Sequence, residues 1–302
     1  MQATDAQIRL DGLAAQPLVS VGPQPGLVAG TMSSLREINR YRELLVLLVQ
    51  RELRARYKNS SLGFVWSLVK PITQLIIYFV VIGKFLGAAR AIPEFAIYVF
   101  CGLTMWALFN EVVSGGAGSI VGNSGLIKKV YLPREVFPLS TVGAALVNFA
   151  IQFGVLIAAT IVIGSFPWSP RLLYVPMSVL LILVFGTALA ILLSAVTVYL
   201  RDVQHLLEIV IVILFWASPI VYSFAFVTDF LRGNWVEQLY LANPVTLAVL
   251  GFQRGLWEAG ADQPFPAHMP LRMTVALLVS LVLLWGGQRV FARLEGNFAQ
   301  EL

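Results

Sequence analysis

At 302 residues, with 12% charged and 58% hydrophobic side chains and a mean hydropathy of +0.80, the chain lacks the polar surface that a water-soluble protein of its size requires. Soluble domains carry roughly 25% charged residues, so lipid is the solvent this composition fits. The net charge of +5 does not point to nucleic acid, because the basic residues gather near the ends of apolar runs, where they set topology. The lone cysteine, Cys101, excludes a disulfide within the chain, and His205 and His268 stand too far apart in sequence to suggest a metal site.

Residues 1–32 are polar, contain Gly and Pro, and hold no apolar core of signal-peptide length. A flexible cytoplasmic tail is expected over 1–33, with the first internal span directing insertion. Ser34-Leu35-Arg36-Glu37 fits a capping box and predicts a helix start. From there to residue 58, apolar residues at helical spacing (Leu35, Ile38, Tyr41, Leu45, Leu48, Val49) interleave with Arg36, Arg40, Arg51, Arg54 and Arg56. This is an amphipathic helix suited to the membrane surface. An ordinary soluble helix would show the same periodicity, but a membrane span follows almost at once.

Residues 59–302 read as a six-span, all-α transmembrane domain. The spans are expected at about Phe64–Leu86, Phe95–Ser114, Phe137–Ile163, within Leu172–Leu200, between Glu208 and Asp229, and between Arg272 and Arg289. Each is near the ~20 residues needed to cross about 30 Å of hydrocarbon. Six spans put both termini on one side. That side then carries fourteen Lys and Arg against six on the other, leaving out Lys70 within a span, so the termini are expected to be cytoplasmic. Between spans five and six, residues 238–253 are uncharged and mostly apolar, yet Asn243-Pro244 breaks them. External re-entrant helices are expected there, covered by protein.

The sequence holds no GxxxxGK[ST] phosphate loop, no HExxH and no GxSxG. Glu111 and Glu208 are acidic residues beside spans, and a proton-relay role is weighed against a plain interfacial position near a span end. The loop GNSGLIKKVYLPREVFPLS (122–140) is compact and basic, and in it Pro133 and Pro138 frame Arg134-Glu135. It is either a topology-fixing loop or a docking element for a soluble partner.

The stretches RELRARYKNSSLGFVWSLVKP (51–71), LIKKVYLPREVFPLS (126–140), YLRDVQHLLEIV (199–210), ASPIVY (217–222) and RVFARLEGNFAQEL (289–302) resemble the permease subunit of type-2 ATP-binding-cassette exporters. The resemblance is closest to the polysaccharide branch, which moves lipid-linked O-antigen, capsule or teichoic-acid chains, and it covers about 35–302. The ending resembles actinobacterial members, which implies export of a cell-wall galactan precursor. The resemblance implies a homodimer of this chain working with two copies of a separate ATPase that binds ATP and Mg, no cofactor on this chain itself, and a place in the bacterial inner membrane. Residues 35–57 would be the interface helix, 124–135 the coupling helix, 200–205 a second contact and 229–262 the external helices.

On that pattern, coupling to the ATPase falls to Leu126, Lys128, Lys129, Tyr131, Leu132, Arg134, Glu135, Arg201 and Asp202. Sugar rings stack on aromatic faces, so Trp66, Tyr78, Phe79, Phe85, Phe215, Trp216, Tyr222 and Phe224 are candidates to line the path, against their usual role as interfacial anchors. Arg56, Lys58 and Lys70 are candidates to meet the substrate pyrophosphate, against a role as anchors on lipid phosphates. Competing readings are a drug or lipid exporter of the same architecture, a lipid-sugar transferase, and an ion-coupled carrier. The transferase lacks a cluster of acidic or metal-binding residues, and the carrier lacks mid-membrane charge.

Overall fold

The computed structural model describes residues 27–57, 65–129, 132–231 and 234–302. The tail expected over the first 26 residues, Lys58 and Tyr131 lie outside the described residues, as does the side chain of Arg56. Among the described residues the protein is all helical. The principal helices are α1 (Leu27–Arg40), α2 (Arg42–Tyr57), α3 (Trp66–Tyr78), α4 (Phe95–Gly122), α5 (Val136–Ile163), α6 (Tyr174–Tyr199), α7 (Val203–Trp216), α8 (Phe224–Leu231), α9 (Trp235–Leu241), α10 (Pro244–Leu256) and α11 (Met269–Leu294).

Helix α6 is the centre of the bundle. It packs along α4 and α11, and α10 closes against it at the end away from α1 and the C-terminal segment. Small residues make this possible. Gly186, Ala190 and Ser194 follow one another at helical spacing on α6 and are buried. A Cβ placed at Gly116 of α4 would stand 2.3 Å from the Cβ of Ala190, so the two backbones approach as only glycine permits. Where lipid supplies no hydrophobic drive between helices, such close packing is the main source of association. Helix α5 packs on α4 and also receives α2, whose Val49 would stand 2.6 Å from a Cβ at Gly143.

Among the described residues five helical segments are long and apolar enough to span a membrane: Leu68–Phe85, Phe95–Gly122, Val136–Ile163, Pro170–Tyr199 and Met269–Asn297. Most spans therefore fall where the apolar runs predict them. The differences have physical causes. Helix α1 begins at Leu27, seven residues before the expected cap, and Ser34 lies inside it. There its hydroxyl accepts a hydrogen bond from Gln288 at 2.9 Å, so it serves a tertiary contact and caps nothing. Helix α4 continues to Gly122, well past Ser114, because the run after Ser114 is small and uncharged. This moves Glu111 away from the helix end and three turns into the bundle. Span one changes at Phe79 into a π-helical segment, Phe79–Phe85, which Gly87 ends with a left-handed φ of 80°.

The expected fifth span is the largest departure. Helix α7 has 14 residues, about 21 Å at 1.5 Å per residue, and it stops at Trp216. Residues 217–223 leave helical geometry around Pro219, and α8 begins at Phe224. The carbonyls released by the break are taken up by neighbouring helices. Tyr98 Oη donates to Pro219 O at 2.8 Å and to Tyr222 O at 2.6 Å. Gln253 Nε2 donates to Pro219 O at 3.0 Å, and Thr246 Oγ1 to Ala217 O at 3.0 Å. Tyr98 belongs to α4, and Thr246 and Gln253 to α10, so these two helices hold the break. The second half of the 235–256 segment is thus buried inside the bundle, with Asn243 capping α10 by accepting from Val245 N at 3.0 Å.

Tyr98→Phe removes the donor shared by two buried carbonyls. Each loss of this kind costs about 1–3 kcal/mol, so the thermal midpoint in detergent, followed by tryptophan fluorescence, is expected to fall. An unchanged midpoint would show that the break does not depend on Tyr98.

Candidate functional site

At the end of the bundle that carries α1 and the C-terminal segment, α4, α6 and α11 finish and α5 and α7 begin. A separate apolar cluster ties the ends of α4, α5, α6 and α11 together. It contains Leu48 of α2, Ile120, Ile127, Phe137, Val198, Phe291 and Phe298, with Leu126 and Leu132 packed against it. The predicted coupling stretch crosses this cluster. It is a single helical turn, Ser124–Ile127, followed by a turn through Lys129 and then by Pro133, which leads into α5.

Three contacts brace the stretch. Asn123 ends α4 by donating to Ser119 O at 2.7 Å, and its Oδ1 accepts from Arg51 of α2. Arg134 lies over the ring of Phe298, 5.6 Å from its centroid, in the C-terminal segment. Glu135 is only 5% exposed and accepts from Gln288 Nε2 at 2.8 Å. The same nitrogen donates to Ser34, so α1, α11 and the start of α5 meet at one amide. Burial raises the pKa of Glu135 above the ordinary carboxylate value, although the Gln288 hydrogen bond and the Arg289 charge pull it down; Glu37 adds to the rise.

The sequence-predicted coupling residues therefore divide. Lys128 and Lys129 are exposed, as are Arg201 and Asp202 in the turn between α6 and α7. Leu126 and Leu132 pack against the cluster, and Glu135 is turned inward as an internal brace.

The aromatic candidates divide in the same way. Trp66, Phe85 and Trp216 are exposed. Tyr78 stacks on Phe215 at 6.1 Å, and Phe215 meets Trp216 edge-on at 5.4 Å, so α3 and α7 share one aromatic face. Phe79 lies under Lys84 Nζ at 5.4 Å. Tyr222 Oη donates to Trp216 O at 2.7 Å and lies 3.2 Å from Tyr240 Oη, which fixes its ring beside the end of α7. Phe224 does not join them. It is 4% exposed and stacks on Tyr240, so it is a core residue and cannot line an open path.

Sequence reasoning missed a polar cavity of about 300 Å³ between α3, α4 and α5. Lys70, Gln74, Asn110, Glu111, Asn148 and Gln152 line it, together with Trp66 and Trp106. Two pairs, Lys70–Gln74 and Asn148–Gln152, stand four residues apart on a single helix and therefore on one face. That spacing of polar residues within apolar spans was the available signal. Among the described residues no group of His, Cys, Asp and Glu could hold a metal ion.

The model of the ABC-2 type transporter family matches residues 43–257, and the chain belongs to that family. It is 33% identical over 269 residues to the O-antigen export system permease protein RfbA of Myxococcus xanthus, covering 89% of this chain and 98% of that one. A protein of the same description from Klebsiella pneumoniae is 24% identical over 260 residues, covering 86% and 95%. The polysialic acid transport protein KpsM of Escherichia coli is 23% identical over 179 residues, covering 58% and 68%.

Because the folded-state pKa of Glu135 is raised, its contribution to stability is full below its unfolded value and is lost as pH rises through the folded value. Glu135→Gln keeps an acceptor for Gln288 and cannot ionise. Its thermal midpoint is expected to exceed that of the parent near neutral pH, with the gap narrowing as the pH falls to about 4. Midpoints measured across that range check the sign.

Proposed function

We propose that this chain is the membrane-spanning subunit of an exporter that carries a lipid-linked polysaccharide from the cytoplasm across the inner membrane, as a pair of copies driven by a separate ATPase. The braced 123–135 stretch carries the reading. It presents Lys128 and Lys129 outward while its other side is anchored to three different parts of the bundle. An element built in this way transmits a push and does not merely join two helices. The names of the relatives supply the class of cargo, since they are export permeases for O-antigen and transport proteins for polysialic acid.

The path of force follows from the contacts. Closure of the ATPase dimer around ATP and Mg displaces the 124–129 turn. Through Asn123 and Arg51 the displacement reaches α2, which rides on α5 at Gly143. Through Glu135 and Gln288 it reaches α11 and α1. Arg201 and Asp202 form a second exposed contact on the same end. The excess of Lys and Arg on that end agrees with a cytoplasmic position.

The aromatic face shared by α3 and α7 is the surface that two copies bring together around the glycan. Trp66, Trp216 and Phe85 supply flat apolar faces for sugar rings. Lys70, exposed at the mouth of the cavity, stands where a pyrophosphate enters. A galactan-type cell-wall chain as cargo rests on the resemblance of residues 289–302 alone.

The test begins with mild detergent extraction and co-purification. A nucleotide-binding protein is expected in roughly equal amount with the parent chain. Reversing both charges in the double variant Lys128→Glu, Lys129→Glu is expected to reduce it at least about tenfold, the scale of opposed charges at an interface. Full recovery with the variant would remove the coupling assignment. Depletion of the chain in cells is expected to leave a lipid-linked glycan on the cytoplasmic side. Galactose as its main sugar would support the galactan assignment, and a different composition would remove that assignment alone.

A further inference from the structure

We propose that the cavity between α3, α4 and α5 is a binding site for a single sugar residue of the transported glycan. This inference rests on the exporter reading above and names the place where the cargo is held within the membrane.

The cavity has about 300 Å³ of space, near the lower end of small-ligand pockets. It lies deep in the bundle. Asn148 and Gln152 are 12 and 16 residues from the start of α5, roughly 18 and 24 Å along its axis. Polar side chains at this depth are costly to keep unless they have partners or a task. Asn148 Nδ2 donates to Glu111 Oε2 at 2.9 Å, and Ser114 Oγ donates to Asn110 Oδ1 at 3.0 Å. Gln152 differs. It is 5% exposed and lines the cavity, and its Oε1 is buried without accepting a hydrogen bond from any described residue. A buried acceptor in that condition costs about 1–3 kcal/mol, and an apolar side chain of similar shape would avoid the cost.

The chemistry of the lining selects among ligands. An acyl chain offers no hydrogen bonds and would strand every polar group in the cavity. A bare anion deep in the cavity would meet the Glu111 carboxylate, since Lys70, the cavity's only lysine, is exposed at its edge. A metal ion lacks ligands, since the cavity holds a single carboxylate. A sugar residue fits each feature. Its hydroxyls donate to Glu111 and, after a rotamer change that turns the Gln152 amide into the cavity, to Gln152 Oε1, and accept from the amide nitrogens. Its C–H faces suit the indoles of Trp66 at the mouth and Trp106 in the wall. Trp106 is held by the edge of Phe215 at 5.3 Å, which joins the cavity to the aromatic face of α3 and α7.

The experiment uses the purified complex of this chain with its ATPase in lipid nanodiscs, and as probe the lipid-linked glycan extracted from the producing cells. The measured quantities are the glycan concentration that half-maximally stimulates ATP hydrolysis and the thermal midpoint. Gln152→Met, which keeps length and removes the acceptor, is expected to raise the half-saturating concentration about three- to tenfold, as loss of one buried hydrogen bond to the ligand requires. Its midpoint is expected not to fall, because an unpaired buried oxygen is removed. Trp66→Ala, at a half-exposed position outside the core, is expected to shift the same concentration in the same direction. An unchanged half-saturating concentration in both variants, with the parent complex still stimulated, would overturn the site and leave the exporter reading standing. A lowered midpoint with unchanged glycan dependence in Gln152→Met would assign the amide to folding and also overturn the site. Failure of the glycan to stimulate the parent complex would overturn the exporter reading itself.

Discussion

Backbone that leaves the helix inside a membrane must find its hydrogen bonds in protein, and residues 217–223 are the place where this bundle meets that demand. An unpaired carbonyl in hydrocarbon costs several kcal/mol. Here Tyr98 reaches from α4, and Thr246 and Gln253 reach from α10, to the carbonyls of Ala217, Pro219 and Tyr222. Gly102 lets α4 close to within 3.0 Å of the Cα of Ile220, measured from the position of a glycine Cβ. Once these helices are committed to the break, their own positions are set. Helix α10 has to be buried, α7 has to stop short, and the aromatic end of α7 has to stand against Tyr78 of α3. The open face of the bundle is a consequence of how the break is paid for.

The opposite end is organised by a different device. Its apolar cluster joins the ends of α4, α5, α6 and α11 to α2 and a single-turn loop, but the specific contacts are polar and few. Gln288 bridges Ser34 and Glu135, Arg51 meets Asn123, and Arg134 covers Phe298. An apolar cluster alone would allow the ends to slide past one another. The polar contacts fix which residue faces which.

Long uncharged runs bounded by basic residues made the spans legible, because hydrocarbon thickness leaves few alternatives. The loop at 122–135 was legible from its glycines, prolines and lysines. Other features depended on partners distant in sequence. Ser34 looks like a cap until Gln288, 254 residues away, takes its hydroxyl. Helix α7 reads as part of a full span until Tyr98 and Gln253 reward the break at Pro219. Phe224 looks like its aromatic neighbours, and only its stacking on Tyr240 shows that it belongs to the core. Glu111 was read as interfacial because the small residues after Ser114 do not look like a continuing helix. With α4 extended to Gly122, the same carboxylate falls opposite Asn148. The pairs at 70 and 74 and at 148 and 152 were visible as spacings. Their meeting across one cavity was not, because it depends on how α3, α4 and α5 are set against one another.

Helix α3 connects these observations. It follows α2 in the chain, and its residues Trp66, Lys70 and Gln74 form one wall of the polar cavity. It is also the span least held by its neighbours, with Ile72, Ile76 and Ile77 exposed, whereas α4 is buried along most of its length. Its hydrogen-bond ladder is interrupted twice, by Pro71, which has no N–H to donate, and by the π-helical segment from Phe79 to Phe85. Segments with few buried contacts and an interrupted ladder are the cheapest parts of a fold to displace. Moving α4 or α6 would separate Gly116 from Ala190 and disrupt the core, while moving α3 alters little beyond the cavity it encloses. Within this bundle α3, the wall that carries Trp66, Lys70 and Gln74, is therefore the side of the cavity least restrained by its neighbours.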